Sequence, residues 1–412
     1  MRNEILAHLN DPAQLEKLYR TNKAPFKREF AALYPELKGN GLADFWHERL
    51  NYESDDISWG TRRELVMVVI GALLAGVVAK LPKIFGLDEE FFYSRNVGFI
   101  IFPFLAAFFA WRNRLSLAKI AAIAGSMLAG LICINLLPDD NASDTLTLSC
   151  IHLILFLWAV LGFAFVGDLT SNEKRLGYLK YNGDLVVMAA LIVIAGGIMT
   201  GITIGLFSAI GLNIEVFYFQ YIGVFGAAAT PLIATWLTQT NPQLVGKVSP
   251  VIARIFSPLV LVMLVVYLSA MIFSGKNPYQ DREFLLIFNA LLLGVMALIF
   301  FSVSEKSKVK SKAEIWILFL LSMVTIVVNG IALSAIVFRI AEWGITPNRA
   351  AVLGGNVLIL INLLLVTAQL FKVISRNADL DALGQTIARY LPIYFIWTIM
   401  VTFLFPLIFG FK

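Results

Sequence analysis

The chain has 412 residues, of which 58% are hydrophobic and only 15% are charged, and its mean hydropathy is +0.77. This excess of apolar residues is larger than the core of a soluble protein of this length requires, and it is typical of a membrane protein. The net charge of +5 comes mainly from basic residues in short loops, so no basic face of the kind that binds nucleic acid is present in the sequence. Two cysteines, Cys133 and Cys150, are too few for a disulfide framework or a multi-cysteine metal site.

Residues 1–63 contain no apolar run long enough to span a bilayer and no signal-peptide pattern. Asp11 followed by Pro12 predicts a helix start, with Asp11 as the N-cap. Apolar residues at helical spacing predict two further short helices before residue 51. We therefore expect a small soluble helical segment on the cytoplasmic side. A role in docking a cytoplasmic protein partner is the alternative to a purely structural one.

From residue 64 onward, apolar runs of about 20 residues recur between polar loops, which is the length that spans a bilayer as a helix. The runs are continuous rather than alternating, which favours helices over a closed barrel. The predicted spans are 65–84, 97–111, 117–137, 146–166, 185–210, 216–237, 252–273, 284–303, 315–337, 351–371 and 390–411. The sequence thus predicts an all-α fold, a polytopic transmembrane helical bundle of about eleven spans over residues 64–412.

The distribution of basic residues predicts the orientation of this bundle. One set of alternate loops carries 15 Lys and Arg residues, whereas the opposite loops and the C-terminal tip carry eight. Basic residues in short loops are retained on the cytoplasmic side. We therefore expect the N-terminus inside and the C-terminus outside.

No recognised catalytic, nucleotide-binding or metal-binding pattern occurs in the sequence, so we predict no catalytic residue, cofactor or metal. Charged residues are nearly absent from the interior of the predicted spans, which counts against an ion-driven carrier. Side-chain amides, in contrast, recur at membrane depth and should face inward, bonding across helices. They are Asn135, Gln220, Asn289, Asn329, Asn356, Asn362 and Gln369.

The fifth predicted span is unusual in its glycines, which are Gly196, Gly197, Gly201 and Gly205. The spacing of four from Gly197 to Gly205 places a flat groove on one helix face, which favours close packing of a neighbouring helix. The alternative is a helix interrupted at Gly196 and Gly197, whose freed carbonyls would face a substrate or an ion.

The densest polar cluster follows the ninth predicted span. Arg339 and Glu342 share a helix face, so they can pair. Thr346 and the proline after it are typical of a helix N-terminus, which would point positive backbone dipoles towards Arg339 and Arg349. We therefore interpret Arg339, Glu342, Thr346 and Arg349 as a candidate site for an anion or a lipid phosphate on the outer face. A structural ion pair that fixes the turn is the alternative.

The same segment carries a family resemblance. Residues 338–349, with the sequence Phe-Arg-Ile-Ala-Glu-Trp-Gly-Ile-Thr-Pro-Asn-Arg, resemble the Arg-x-x-x-(Tyr/Trp)-Gly-(Leu/Ile)-Thr-x-x-Arg turn of a family of bacterial multi-span proteins known only as a domain of unknown function. The pattern from Leu15 to Leu50 is similar to the version found in Bacteroidetes-type bacteria. The resemblance implies a location in the bacterial inner membrane, and it implies no mechanism.

Three classes of function remain open on these observations. The span count and the glycine-rich fifth span favour a transporter or permease, with membrane lipids as its surroundings. The soluble N-terminal segment and the scarcity of intramembrane charge favour a non-catalytic membrane scaffold or signalling protein. A lipid- or glycan-modifying membrane enzyme would depend on the outer-face cluster.

Overall fold

The computed structural model describes residues 2–51, 58–140, 142–168, 170–210, 212–246, 248–273, 279, 282–304, 312–376 and 380–411. These residues are almost all helical, and no strand occurs among them. The chain divides into two compact units, Met1–Ser58 and Trp59–Lys412.

The first unit consists of four short helices around a small core of its own. They are α1 (Arg2–Ala7), α2 (Pro12–Thr21), α3 (Lys23–Leu37) and α4 (Gly41–Asn51). The predicted start of α2 is confirmed, because the Asp11 carboxylate accepts hydrogen bonds from two backbone amides of the first turn at 3.1 and 3.2 Å. Phe26, Phe30 and Trp46 are the largest side chains buried in this core.

The second unit contains the remaining helices, long and short. They are α5 (Arg62–Phe85), α6 (Glu89–Asn96), α7 (Phe102–Arg112), α8 (Leu117–Leu136), α9 (Asp144–Val166), α10 (Asn172–Ala209), α11 (Glu215–Phe217), α12 (Val224–Thr240), α13 (Gln243–Gly246), α14 (Val248–Phe273), α15 (Arg282–Ser304), α16 (Lys312–Trp343), α17 (Pro347–Arg376), α18 (Leu380–Ile399) and α19 (Phe405–Ile408). A π-helical turn, Tyr218–Gly223, joins α11 to α12, and another, Met400–Leu404, joins α18 to α19.

Ten helical stretches of the described chain are long and apolar enough to span a membrane, and they correspond to ten of the predicted spans. The remaining predicted span, 284–303, is α15, whose apolar part in the described residues is Phe288–Ser304. The predicted polytopic helical bundle is therefore confirmed, and the chain is a multi-pass membrane protein.

Several helices differ from the predicted spans in length. Helix α10 has 38 residues and α16 has 32, because each continues through polar residues that hydropathy does not mark as membrane-spanning. The second predicted span starts earlier than expected, at Glu89, and contains a 3₁₀ turn at Val97–Ile100. Pro103 follows this turn at the start of α7, where its missing backbone N–H interrupts the helical ladder.

Two apolar clusters organise the bundle, and we call them the first and second lobes. The first lobe centres on α7, α9 and α12, and the second on α15, α16 and α17. Trp158 of α9 packs against both clusters. Helix α10 also contributes to both, with Tyr178 and Tyr181 in the first lobe and Leu179 in the second. The beginning of α10 therefore lies between the two lobes.

Candidate functional site

The polar residues of α10 between Tyr178 and Asp184, together with Trp158 and Thr235, form a buried layer where the lobes meet, which we call the seam. Tyr178, Tyr181 and Asp184 are each at most 8% exposed. Trp158 is eight residues from the end of α9 at Val166, which corresponds to about 12 Å along the helix axis. The seam is thus inside the bundle rather than in a surface loop.

A closed ring of hydrogen bonds fixes α10 to α9 within the seam. The indole Nε1 of Trp158 donates to Oδ1 of Asn182 at 2.8 Å, and Nδ2 of Asn182 donates to the carbonyl of Tyr178 at 2.6 Å. The Tyr178 hydroxyl donates back to the carbonyl of Trp158 at 2.6 Å. Because each polar group has a partner, this side of the seam is a rigid scaffold.

A second contact joins α10 to α12. The hydroxyl groups of Tyr181 and Thr235 are 2.7 Å apart, and Thr235 is fully buried. Tyr181 also packs edge-on against Phe109 of α7, with ring centroids 5.1 Å apart. The seam therefore connects α10 to three helices of the first lobe, which are α7, α9 and α12.

An ion pair completes the seam. Nζ of Lys180 is 3.0 Å from Oδ2 of Asp184, one helical turn away, and the two side chains are 29% and 12% exposed. The other carboxylate oxygen of Asp184, Oδ1, is buried and accepts no hydrogen bond from the described part of the chain. A buried carboxylate oxygen without a donor is costly, so it is a natural acceptor for an N–H or O–H group of a bound molecule.

The predicted outer-face cluster has a different geometry from the one expected. The backbone amide of Arg349 donates to the Thr346 hydroxyl oxygen at 3.3 Å, which confirms the predicted helix start at Pro347. The Arg349 guanidinium, however, donates to the carbonyls of Trp343 and Gly344 at 2.9 and 2.6 Å. Its strongest contacts therefore cap the end of α16.

The expected pairing of Arg339 with Glu342 is not formed in the described part of the chain. Arg339 is only 8% exposed, and its Nε donates to the carbonyl of Tyr279 at 3.0 Å. Glu342 is exposed. The bond that the described residues show for this guanidinium is therefore to a backbone carbonyl and not to Glu342. Thr346 and Arg349 are therefore in contact, as predicted. Arg339 and Glu342 do not join them in a single site.

Neither interpretation of the glycine-rich span agrees with the structure. Helix α10 is continuous through Gly196 and Gly197, so the expected interruption is absent. A Cβ atom added at Gly196, Gly197, Gly201 or Gly205 would meet nothing within 4 Å, so no neighbouring helix of the described chain packs there either. Most side chains in the apolar second half of α10 are exposed, in contrast to those of its first half.

The prediction that side-chain amides bond across helices is confirmed at several positions. Asn356 donates to Asn289 at 2.9 Å and accepts from Asn329 through its backbone carbonyl at 3.2 Å. Asn362 donates to the Tyr394 hydroxyl at 3.1 Å. These bonds lie within the second lobe and hold its helices together.

Sequence reasoning missed the seam. Lys180 lies in the polar run before the predicted span 185–210, so it is one of the 15 basic residues counted in the cytoplasmic loops. The available signal was the periodic mixture of aromatic and polar residues from Tyr178 to Asp184, which is typical of a buried polar helix face. Within the described residues, no group of His, Cys, Asp and Glu side chains is arranged to hold a metal ion.

Comparisons with protein-family models, curated proteins and solved structures find no match for this chain. The resemblance of residues 338–349 to a bacterial family therefore stays a prediction.

Proposed function

We propose that the protein is a permease-type transporter that binds a small polar solute at the seam. The observation that supports this proposal is the Lys180–Asp184 ion pair between two helical lobes, because the carboxylate oxygen Oδ1 is buried and has no donor in the described part of the chain. Ionisable groups inside a membrane bundle are expensive, and they usually mark a substrate or ion pathway.

Each residue of the seam has a distinct role in this proposal. Asp184 accepts a hydrogen bond from the solute through Oδ1, while Lys180 holds the carboxylate in position through Oδ2. The Trp158–Asn182–Tyr178 ring holds this part of α10 against α9. Because α10 contacts both lobes, a change in their packing would move the ion pair between two environments, as alternating access requires.

The test begins with thermal melts of the purified protein in nanodiscs against a panel of amino acids, sugars, nucleosides and organic amines. A solute that binds the folded state raises the melting temperature, by an amount that grows with its concentration above the Kd. We expect at least one member to do so for the wild type and not for Asp184→Asn. That solute is then assayed for counterflow in proteoliposomes.

Glu314→Gln is the matched control, since Glu314 also forms an ion pair, with Arg254 at 2.9 Å, and its side chain is 24% exposed. This variant should keep the solute response of the wild type. Equal responses of Asp184→Asn and the wild type, or binding without counterflow, would count against a transport role for the seam.

The alternative role, a scaffold or signalling protein, is favoured by one observation. The N-terminal unit has its own core but leaves Phe45 58% exposed, which suits a protein partner. In that case Phe45→Ser would abolish co-purification of a specific partner, and no solute would bind at the seam.

A further inference from the structure

Lys80 is a lysine near the end of α5 whose side chain is largely covered by protein. It lies five residues before Phe85, about 8 Å from the helix end, and it is only 9% exposed. Its Nζ lies 4.8 Å from the centroid of the Tyr221 ring. In the described part of the chain this ammonium has neither a hydrogen-bond acceptor nor an ion-pair partner. Contact with an aromatic face does not satisfy the hydrogen-bond donors of an ammonium, so they stay free for an anion.

The packing of α5 against α12 explains why Lys80 is enclosed. At Gly76 a Cβ atom would lie 2.2 Å from the ring of Phe225, so the helices approach closely there. One turn further along each antiparallel helix, Lys80 meets Tyr221. Tyr221 belongs to the π-helical turn Tyr218–Gly223, whose wider backbone changes the direction of its side chains.

A second cation borders the same ring. Nζ of Lys83 lies 5.8 Å from the Tyr221 centroid and donates to Oε1 of Gln220. The carboxylate that acts electrostatically on Lys80 is that of Glu89, which is exposed and forms no ion pair with either lysine. Two ammonium groups thus flank one aromatic ring, and one exposed carboxylate opposes them.

Exposed aromatic side chains indicate the depth of this cluster. Phe217, Phe219 and Tyr221 are 60%, 53% and 46% exposed on the segment that carries the ring. Tyrosine side chains at the ends of membrane helices concentrate at the interface between hydrocarbon and headgroups, so Tyr221 places the cluster there. Phosphate is the principal anion at this depth.

We propose that Lys80, Lys83 and Tyr221 form a binding site for a phosphate group at the membrane interface, separate from the seam. The phosphate oxygens supply the acceptors that the Lys80 ammonium lacks, and Lys83 contributes a second charge from the solvent side. A phospholipid headgroup and a soluble phosphate share this chemistry, and the experiment below distinguishes them.

The experiment uses the full chain and native mass spectrometry in detergent with added phosphatidylglycerol or phosphatidylcholine. We expect phosphatidylglycerol to bind the wild type at least tenfold more tightly than it binds Lys80→Met, with a smaller loss for Lys83→Met. Methionine keeps the length of the buried side chain, and melting curves in phosphatidylcholine nanodiscs check that each variant folds. Lys372→Met is the matched control, because Lys372 is an exposed lysine near the end of another long helix, α17.

Binding of a soluble phosphate is tested with inorganic phosphate and glycerol 3-phosphate, with the protein in phosphatidylcholine nanodiscs. A rise in melting temperature that disappears in Lys80→Met assigns the site to a soluble phosphate, whereas selective binding of phosphatidylglycerol alone assigns it to a lipid. If Lys80→Met and Lys372→Met bind every probe as the wild type does, the proposal is wrong. A folded Lys80→Arg variant that retains phosphate binding would support it further.

Discussion

At the scale of single residues, Arg349 was a candidate anion ligand, but in the structure it stabilises the end of a helix. Its guanidinium bonds two carbonyls at the end of α16 and lies 5.6 Å from the Trp343 ring centroid. Carbonyls at a helix C-terminus have no partner within the helix, so a cation there stabilises both the helix end and the turn.

A first prediction follows for this turn. Arg349→Gln removes two charge-assisted hydrogen bonds and should lower the free energy of unfolding by about 1–3 kcal/mol. Glu342→Gln is the control, because Glu342 is exposed, and it should melt like the wild type. Thermal melts in nanodiscs check both. A stable Arg349→Gln variant that loses a bound anion would restore the anion-site interpretation.

Glu16 in the N-terminal unit gives a prediction of pH dependence. The hydrogen bond from Arg20 at 2.7 Å, with Arg49 also close, lowers the pKa of Glu16 below its usual value. Its contribution to stability is therefore fully present above the unfolded pKa of about 4.3 and is lost as the pH falls through the folded pKa.

We expect the urea midpoint of this unit, read from the methyl resonances of Leu15 and Leu33 in the full chain, to fall on acidification from pH 6 to pH 3. Glu16→Gln should have a lower midpoint at pH 6 and a smaller change with pH. An equal pH response in both proteins would contradict the assigned role.

At the scale of elements, α10 combines two environments in one continuous helix. A Cβ atom at Gly183, in its first half, would lie 2.0 Å from the ring of Phe301 in α15, whereas Gly201, in its second half, faces open space. The first half therefore needs glycine for close packing, and the second half does not.

This contrast gives a matched pair of variants in the same helix. Gly183→Ala should destabilise the protein by about 1–3 kcal/mol, because it overpacks the contact with Phe301. Gly201→Ala should be neutral or stabilising by up to about 1 kcal/mol, since alanine favours a helix more than glycine does. Melting temperatures measured side by side provide the test. A strong loss in Gly201→Ala would reveal a neighbour on that face.

The sequence was sufficient for the elements that depend on local chemistry. Continuous apolar runs located the spans, and Thr346 with Pro347 located the start of α17. The length of α10 was not predictable in this way, because hydropathy measures preference for lipid and not helical continuity. The seam and Lys80 were also missed, since burial of a lysine or aspartate depends on which distant helices pack against it.

At the scale of the whole molecule, the orientation in the membrane stays a prediction from charge. Reporter fusions after Arg114, Arg175 and Arg376 should report the cytoplasm, and those after Asp140 and Phe411 should report the outer side. The reason is the excess of basic residues in the first set of loops, which is 15 to eight, or 14 to eight when Lys180 of the seam is left out. A cytoplasmic signal from the fusion after Phe411 would exclude an odd number of spans.

The position of α10 between the lobes also constrains how the chain is assembled during synthesis. Leu176 packs against Gly384, and Gly183 against Phe301, both of which leave the ribosome long after α10. A nascent chain that ends at Thr240 already contains every helix at the centre of the first lobe, yet one side of α10 still lacks its protein neighbours. The Arg175 guanidinium, which donates to the carbonyl of Ala388 in α18 in the folded protein, then depends on temporary partners, water or an insertion chaperone until α18 has entered the membrane.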